Sequence, residues 1–252
     1  MTKNISVVIP TLNEEELLPL TLESLFKQKL LPLEIIIVDG GSDDKTQQIV
    51  KKWMKIFDSE GTLLILEKLS KKGITLSRDY GYRRAKGKYI CSCDADTWYP
   101  LDYLQSAEKW MKVNENKKYV GVIGNPMSIK NPPWYIVVER VIHSWRIKLE
   151  MKLFGGVNFV RAYNIMFSRE AYLKSSGMNV FIYAVEDEVG LTRCLRERGK
   201  IGYCKQMRPL SSGRRINKGF WRFLFKTIIY DYWGVYWLSK LGVKDLSYKR
   251  EN

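Results

Sequence analysis

The sequence predicts an α/β fold with a mostly parallel central sheet flanked by helices. Three observations carry that prediction. Short runs that are apolar throughout recur along the first hundred residues, segments with helical spacing lie between them, and acid-rich turns follow several of the runs. A strand apolar on both faces is one covered on both faces, and helices crossing between parallel strands supply that cover.

Taken in order, Ile5–Pro10 is a continuous apolar strand. Glu14–Lys29 has helical periodicity, with Leu17, Leu18, Leu22, Leu25 and Phe26 on one face. Glu34–Asp39 is a second buried strand, Asp43–Phe57 a second helix and Thr62–Glu67 a third strand. Ile74–Lys86 reads as a helix closed by Gly87, and Lys88–Cys93 is a fourth strand that runs directly into Asp94-Ala95-Asp96. The second half is less regular. Pro132-Pro133-Trp134 opens an aromatic stretch, Tyr135–Leu153, which carries Arg140, Arg146, Lys148 and Lys152 and ends at Gly155-Gly156. Phe159–Phe167 has strand character, and Arg169–Ser175 suits a helix ending at Gly177. Glu186-Asp187-Glu188 opens a helix, Val189–Arg198, stopped by Gly199, and Ile201–Cys204 is a last strand. From Gly219 to Val243 the chain mixes Trp221, Phe223, Phe225, Trp233 and Trp237 with Arg222 and Lys226.

A chain of 252 residues with 45% hydrophobic and 13% aromatic residues can bury a substantial core, as one domain or one domain with an appendage. Its four cysteines form no C-x-x-C pair and His143 is its single histidine, which argues against a disulfide framework and against a zinc site. Met1-Thr2-Lys3-Asn4 leads straight into the first strand without a signal peptide, and no apolar run reaches about 18 residues. A cytoplasmic chain is therefore expected. The net charge is +15, and Lys205–Asn252 holds eleven Lys or Arg against three acids. Such an excess attracts polyanions, whether nucleic acid, anionic lipid headgroups or nucleotide diphosphates; composition does not choose among them.

The chemistry-bearing residues gather after the strands. Thr11-Leu12-Asn13-Glu14 follows the first, Asp39 to Asp44 the second, and Asp94 and Asp96 the fourth. In open α/β sheets ligands bind beyond the carboxyl ends of the strands. Two carboxylates one residue apart there suit a hard divalent cation, which takes oxygen ligands and shares its remaining positions with phosphate. Each group has a plainer reading as well: a solvated turn for the D-x-D, a helix cap for Ser42 or Asp43, and a favourable charge at a helix start for Glu186 and Asp187. Acids or amides after three strands of one sheet converge on one crevice, which capping alone explains less well.

These residues in this order resemble the family 2 glycosyltransferases, which have the GT-A fold, a Rossmann-like sheet flanked by helices. The resemblance spans Ile5 to Arg215. It rests on Val8-Ile9-Pro10-Thr11-Leu12-Asn13-Glu14-Glu15, Val38-Asp39-Gly40-Gly41-Ser42-Asp43-Asp44-Lys45-Thr46, Ser77-Arg78-Asp79, Ala85-Lys86-Gly87, Asp94-Ala95-Asp96 and Glu186-Asp187. It implies that Pro10, Leu12 and Glu14 line a base and ribose pocket, with Asp39 on the base edge. Arg78 would reach the donor, Asp94 would contact ribose or donor sugar, and Asp96 would hold Mg2+ or Mn2+ on the diphosphate. Asp187 matches the general base. Arg214 and Arg215 suit diphosphate oxygens by their forked geometry, and equally suit a basic surface patch. Ser212-Gly213-Arg214-Arg215 is similar to the non-processive members, whereas Trp221-Arg222 lacks the Gln of a Q-x-x-R-W segment.

The expected organisation is a GT-A domain over residues 1–215, with 1–100 as the nucleotide-sugar half and 101–215 as the acceptor half. Residues 216–252 are expected to form a basic, aromatic, amphipathic helical extension suited to a membrane interface. The expected activity is metal-dependent, inverting transfer of a sugar from a UDP- or GDP-type donor to a hydroxyl on a lipid-linked saccharide or other glycan. A polyprenyl-phosphate glycosyltransferase is the alternative, since a phosphate acceptor needs no base. A basic nucleic-acid-binding protein is a distant one, opposed by the acids after strands one, two and four. Peripheral association with the inner face of a membrane is expected from the aromatic, basic segments, and oligomeric state is open.

Overall fold

The computed structural model of the chain describes residues 3–125, 127–128, 133–180 and 186–212. Its first half alternates strand and helix: β1 (Ile5–Thr11), α1 (Leu18–Phe26), β2 (Glu34–Asp39), α2 (Thr46–Asp58), β3 (Leu63–Lys68), α3 (Ile74–Arg84), β4 (Tyr89–Ser92) and β5 (Thr97–Trp98). The second half adds α4 (Tyr103–Asn114), β6 (Tyr119–Ile123), β7 (Met127–Ser128), α5 (Pro133–Phe154), β8 (Ile165–Ser168), α6 (Arg169–Leu173), α7 (Glu186–Arg196), β9 (Lys200–Tyr203) and β10 (Leu210–Ser211). Seven strands form one sheet in the order β3-β2-β1-β4-β8-β6-β9, in which β8 alone runs antiparallel to its neighbours. The sheet is continuous across both halves of the chain. A small sheet, β5-β10-β7, stands beside it.

Alternation along the strands divides the core. Ile5, Val7 and Ile9 of β1 and Ile35 and Ile37 of β2 pack with Leu18, Leu22, Leu25, Val50, Phe57, Leu104 and Met111, so α1, α2 and α4 cover one face. Val8, Ile36 and Val38 point the other way, to Tyr82, Ile147, Tyr172, Leu191 and Leu195 of α3, α5, α6 and α7. Successive strand side chains leave on opposite faces, so runs apolar at every position build both layers at once. Phe26, Trp53 and Phe57 close the first layer edge to edge, and Tyr82 meets Phe167 and Tyr172 in the second, each at 5.1 Å between centroids.

One buried carboxylate staples the strand starts. Glu34 Oε1 accepts from the Ser6 hydroxyl and the Lys86 N–H, both at 2.6 Å, and Gly87 N–H donates to Ser6 Oγ. Gly87 has no room for a side chain: a Cβ there would stand 2.7 Å from Asn4 O and Ser6 N. The chain thus enters β4 pressed against β1, in parallel register from Ile5↔Tyr89 to Val8↔Ser92.

One element departs from the sequence expectation. The predicted strand Phe159–Phe167 is a strand only from Ile165. Residues up to Asn164 instead cross the carboxyl ends of β4 and β6, because β8 enters the sheet antiparallel with Ile165 opposite Ser92 and Ile123. Tyr135–Leu153 lies wholly within the long helix α5. Arg214, Arg215 and the extension 216–252 lie outside the described residues.

Candidate active site

Because β1, β2, β4 and β6 are parallel, their carboxyl ends share one edge of the sheet. The loops after β1 and β2 are laced together there. Asn13, in the left-handed region at φ 55°, takes the Ser42 hydroxyl as acceptor for its N–H, and its Oδ1 accepts from Asp43 N–H, both at 2.9 Å. Asparagine tolerates that conformation better than most residues. Glu14 N–H donates to Thr46 Oγ1 at 2.8 Å, and Glu15 N–H donates to Asp44 Oδ2 at 3.0 Å. Gly41, at φ 91°, permits the turn.

Asp39 ends β2 directly opposite Thr11 of β1 and is fully buried. Its carboxylate accepts from the Ser42 N–H at 3.2 Å, from the Ser42 hydroxyl, and from Gln47 Nε2 at 2.7 Å. Pro10 and Glu14 are half-buried and Leu12 is 40% exposed, on the stretch that ends β1 and leads into the laced loop.

Under β4 the arrangement is tighter. Arg78 projects from α3 and is 1% exposed. Its guanidinium pairs with Asp94, donates to Ser92 Oγ at 2.7 Å, and lies 3.4 Å from the carbonyls of Cys93 and Ala162. Burial alone lowers its pKa, yet Asp94, Tyr82 and Asp187 together hold it above its ordinary value. Tyr82 donates to Ser92 Oγ at 2.6 Å, and burial pushes its hydroxyl up to about 12. The structure buries Arg78 against Asp94, where it orients that carboxylate. Asp187, at the start of α7, is 6% exposed and lies close enough to act on both Arg78 and Tyr82.

Asp96, two residues on, is half-buried on the other side of the turn. Its Oδ2 accepts from the Ser212 hydroxyl at 2.6 Å, and its carbonyl accepts from Ser212 N–H at 3.0 Å. This tie follows from the small sheet, where Ser211 pairs with Thr97. Tyr99 links the turn to the crossing segment: its hydroxyl accepts from Asp94 N–H at 3.0 Å and donates to Tyr163 O at 3.1 Å. Burial raises the pKa of that hydroxyl and keeps its proton in place. The two carboxylates therefore stand one residue apart at a strand end, each oriented by its own partner. Among the described residues no group of three His, Cys, Asp or Glu is set to hold a metal alone. The donor set fits instead a cation that takes one or two carboxylates and completes its shell with ligand oxygens.

The model of the family described as "Glycosyl transferase family 2" matches residues 6–175. The chain belongs to that family. Among curated relatives, an uncharacterized glycosyltransferase of Haemophilus influenzae is 26% identical over 199 residues, covering 77% of this chain and 62% of that protein. A GalNAc(5)-diNAcBac-PP-undecaprenol beta-1,3-glucosyltransferase of Campylobacter jejuni is 29% identical over 121 residues, covering 48% of this chain and 37% of its own length. The matches thus span less than two thirds of these relatives. The mannosyltransferase PcManGT of Pyrobaculum calidifontis, solved with GDP-Man and Mn2+, superposes with a TM-score of 0.67 at 20% identity over 88% of this chain and 60% of that one. TarS of S. aureus, solved with UDP-GlcNAc, gives 0.64 at 17% identity over 84% of this chain and 59% of that one. These likenesses establish the GT-A fold.

Several residues at this edge are ones that the sequence reading leaves without a role. Ser92, Tyr99 and Gln47 carry hydrogen bonds to Arg78, Asp94 and Asp39, and Ser212 holds Asp96 across 116 positions. No local signal marks Ser92, Tyr99 or Gln47, and none ties Ser212 to Asp96. Arg214 and Arg215 lie outside the described residues, as does the side chain of Glu186.

Proposed function

We propose that the transferase moves a sugar from a UDP- or GDP-type nucleotide-diphospho-sugar to an acceptor hydroxyl, with inversion at the anomeric carbon and with Mg2+ or Mn2+ bound. The observation that carries the reading is the pairing of Asp94 and Asp96 at the end of β4, one held by Arg78 and the other by Ser212, with Asp187 facing the same network. The nucleotide lies over the laced loops: Pro10, Leu12 and Glu14 line the base and ribose pocket, and the base edge displaces Gln47 as a donor to Asp39. Asp94 contacts ribose or donor sugar. Asp96 would hold the divalent cation, which supplies charge neutralisation to the departing diphosphate. Arg214 and Arg215 are assigned to the same diphosphate oxygens.

Inversion requires attack from the face opposite the diphosphate, and a carboxylate within hydrogen-bond reach of the acceptor oxygen takes its proton. Asp187 has that part, at a helix N-terminus on the acceptor half of the chain. A base favours a hydroxyl acceptor over a phosphate, which is already ionised. Curated relatives include an enzyme whose name specifies an undecaprenol-linked acceptor, which supports a lipid-linked saccharide and work at the inner face of a membrane. Residues 1–100 serve the donor, 101–215 the acceptor, and 216–252 the membrane interface.

The test is a transfer assay with a panel of UDP- and GDP-sugars, run beside Asp187→Asn. The variant is expected to lose transfer by at least about a hundred-fold, the low end for a general base, while binding the donor nucleotide like the parent. Unchanged turnover would remove Asp187 from the mechanism.

A further inference from the structure

Helix α5 is apolar on two sides. Ile147 and His143 face the core, 1% and 7% exposed, while Val141, Trp145, Leu149 and Leu153 remain exposed on the outer side, Trp145 at 65%. At about 100° per residue the last four occupy one arc of roughly 120°, recurring every fourth position over three turns. Lys148 and Lys152, both exposed, run along one edge of that arc, and Phe154 is exposed where the helix ends. An unbroken apolar stripe of this length on an otherwise folded chain marks an interaction surface. An aromatic stripe with lysines along its edge is complementary to the boundary between acyl chains and anionic headgroups, where Trp inserts and Lys keeps its ammonium in the polar layer.

We propose that the outer stripe of α5 is the face by which the transferase docks on an anionic lipid surface, with Trp145 and Leu149 inserted and Lys148 and Lys152 on the headgroups. The inference rests on the transferase reading only for its consequence, that the crevice is brought to the level of a lipid-linked acceptor. Charge selects lipid over the other occupants. A second copy would set lysine stripe against lysine stripe, and the chain's own residues 216–252 hold seven Lys or Arg against three acids, so both repel the stripe's edge. An anionic bilayer attracts it. The fold places the helix near the site: α5 follows β7, whose partner β10 leads to Ser212 and its tie to Asp96. Among the described residues no helix is long and apolar enough to cross a membrane, which makes this a surface contact.

The four cysteines are all buried, so a single exposed cysteine can be labelled selectively. Full-length chain with Val141→Cys carrying an environment-sensitive fluorophore is mixed with vesicles of phosphatidylcholine alone and with phosphatidylglycerol added. A blue shift of the label on the anionic vesicles, with weaker binding to the neutral ones, is expected. Each lysine near such a surface contributes roughly five-fold in affinity, so Lys148→Gln/Lys152→Gln should weaken vesicle binding by about 25-fold. Trp145→Glu/Leu149→Glu should abolish it, with UDP and GDP binding measured on the same samples to show that the fold and donor site are intact. Vesicle binding without a shift of the label overturns the proposal, since another surface then carries it. A label already shifted before lipid is added assigns the stripe to the chain's own residues, or to a second copy if the shift grows with protein concentration. Absence of vesicle binding at low salt overturns it too, without touching the nucleotide result.

Discussion

Replacing Arg78 probes the centre of the site, and the structure sets the scale of the effect. The guanidinium is 1% exposed, pairs with Asp94, donates to Ser92 Oγ at 2.7 Å and lies in the field of Asp187. Arg78→Met removes the cation and leaves Asp94, its side chain 22% exposed, and the buried Asp187 without it. Breaking a buried pair from one side costs about 3–5 kcal/mol, because the remaining charge is uncompensated. For a chain of this size that lowers Tm by roughly 10–15 °C. Arg78→Lys keeps the charge but loses the fork, and should cost about 1.5–3 kcal/mol. Adding Asp94→Asn to Arg78→Met should recover part of the loss. Lys174→Ala, which breaks the exposed pair with Glu170, is the control and should leave the melt unchanged. Thermal unfolding followed by circular dichroism reads all four. A melt of Arg78→Met within about 2 °C of the parent would refute the argument that this pair is buried and uncompensated when broken.

Other outcomes follow from the same geometry. Burial, with Arg146 and Arg161 nearby, holds His143 down at about 3 against an ordinary 6.5, so the folded state keeps it neutral while the unfolded state takes up a proton. Its contribution is complete above pH 6.5 and is lost as pH falls toward 3; at pH 5 the loss is about 2 kcal/mol, and His143→Phe should remove that part of the pH dependence in urea unfolding at pH 7 and 5. Equal slopes for parent and variant would contradict it. Ser212→Ala removes the donor to Asp96 Oδ2 and should weaken Mn2+-supported nucleotide binding by about ten-fold or more with little change in Tm; calorimetry with and without Mn2+ checks this, and unchanged affinity would detach Ser212 from the metal site.

How much was legible depends on the range of the interactions. The strands at Ile5, Glu34 and Tyr89 announce themselves because every residue in them but Pro10 is buried, and Asp39, Asp94 and Asp96 stand out as acids placed at their ends. The acid run Glu186-Asp187-Glu188 placed Asp187 at the start of a helix, where the structure has it. Other features are properties of pairing between distant segments. β8 enters antiparallel between β4 and β6, which turns Phe159–Asn164 from strand into a crossing segment, and nothing in that stretch's own periodicity distinguishes the two. Tyr103–Asn114 and Tyr119–Ile123, for which the sequence reading sets no expectation, form a helix and a strand between punctuation too weak to isolate them. Arg78 is singled out in the sequence only by the family resemblance; its burial becomes visible only once Ser92 and Asp94 are brought against α3. The same holds for Ser212, whose tie to Asp96 requires the small sheet.

The central claim is that the acids at the end of β4 form a metal-dependent nucleotide site. Calorimetric binding of UDP and GDP, with and without Mn2+, on the parent and on Asp96→Ala, tests it most directly. The account predicts that one of the two nucleotides binds only with Mn2+ and that Asp96→Ala abolishes this. It is contradicted if neither nucleotide binds up to about a millimolar, the weak end of ordinary substrate affinities, or if binding persists undiminished without metal and in the variant.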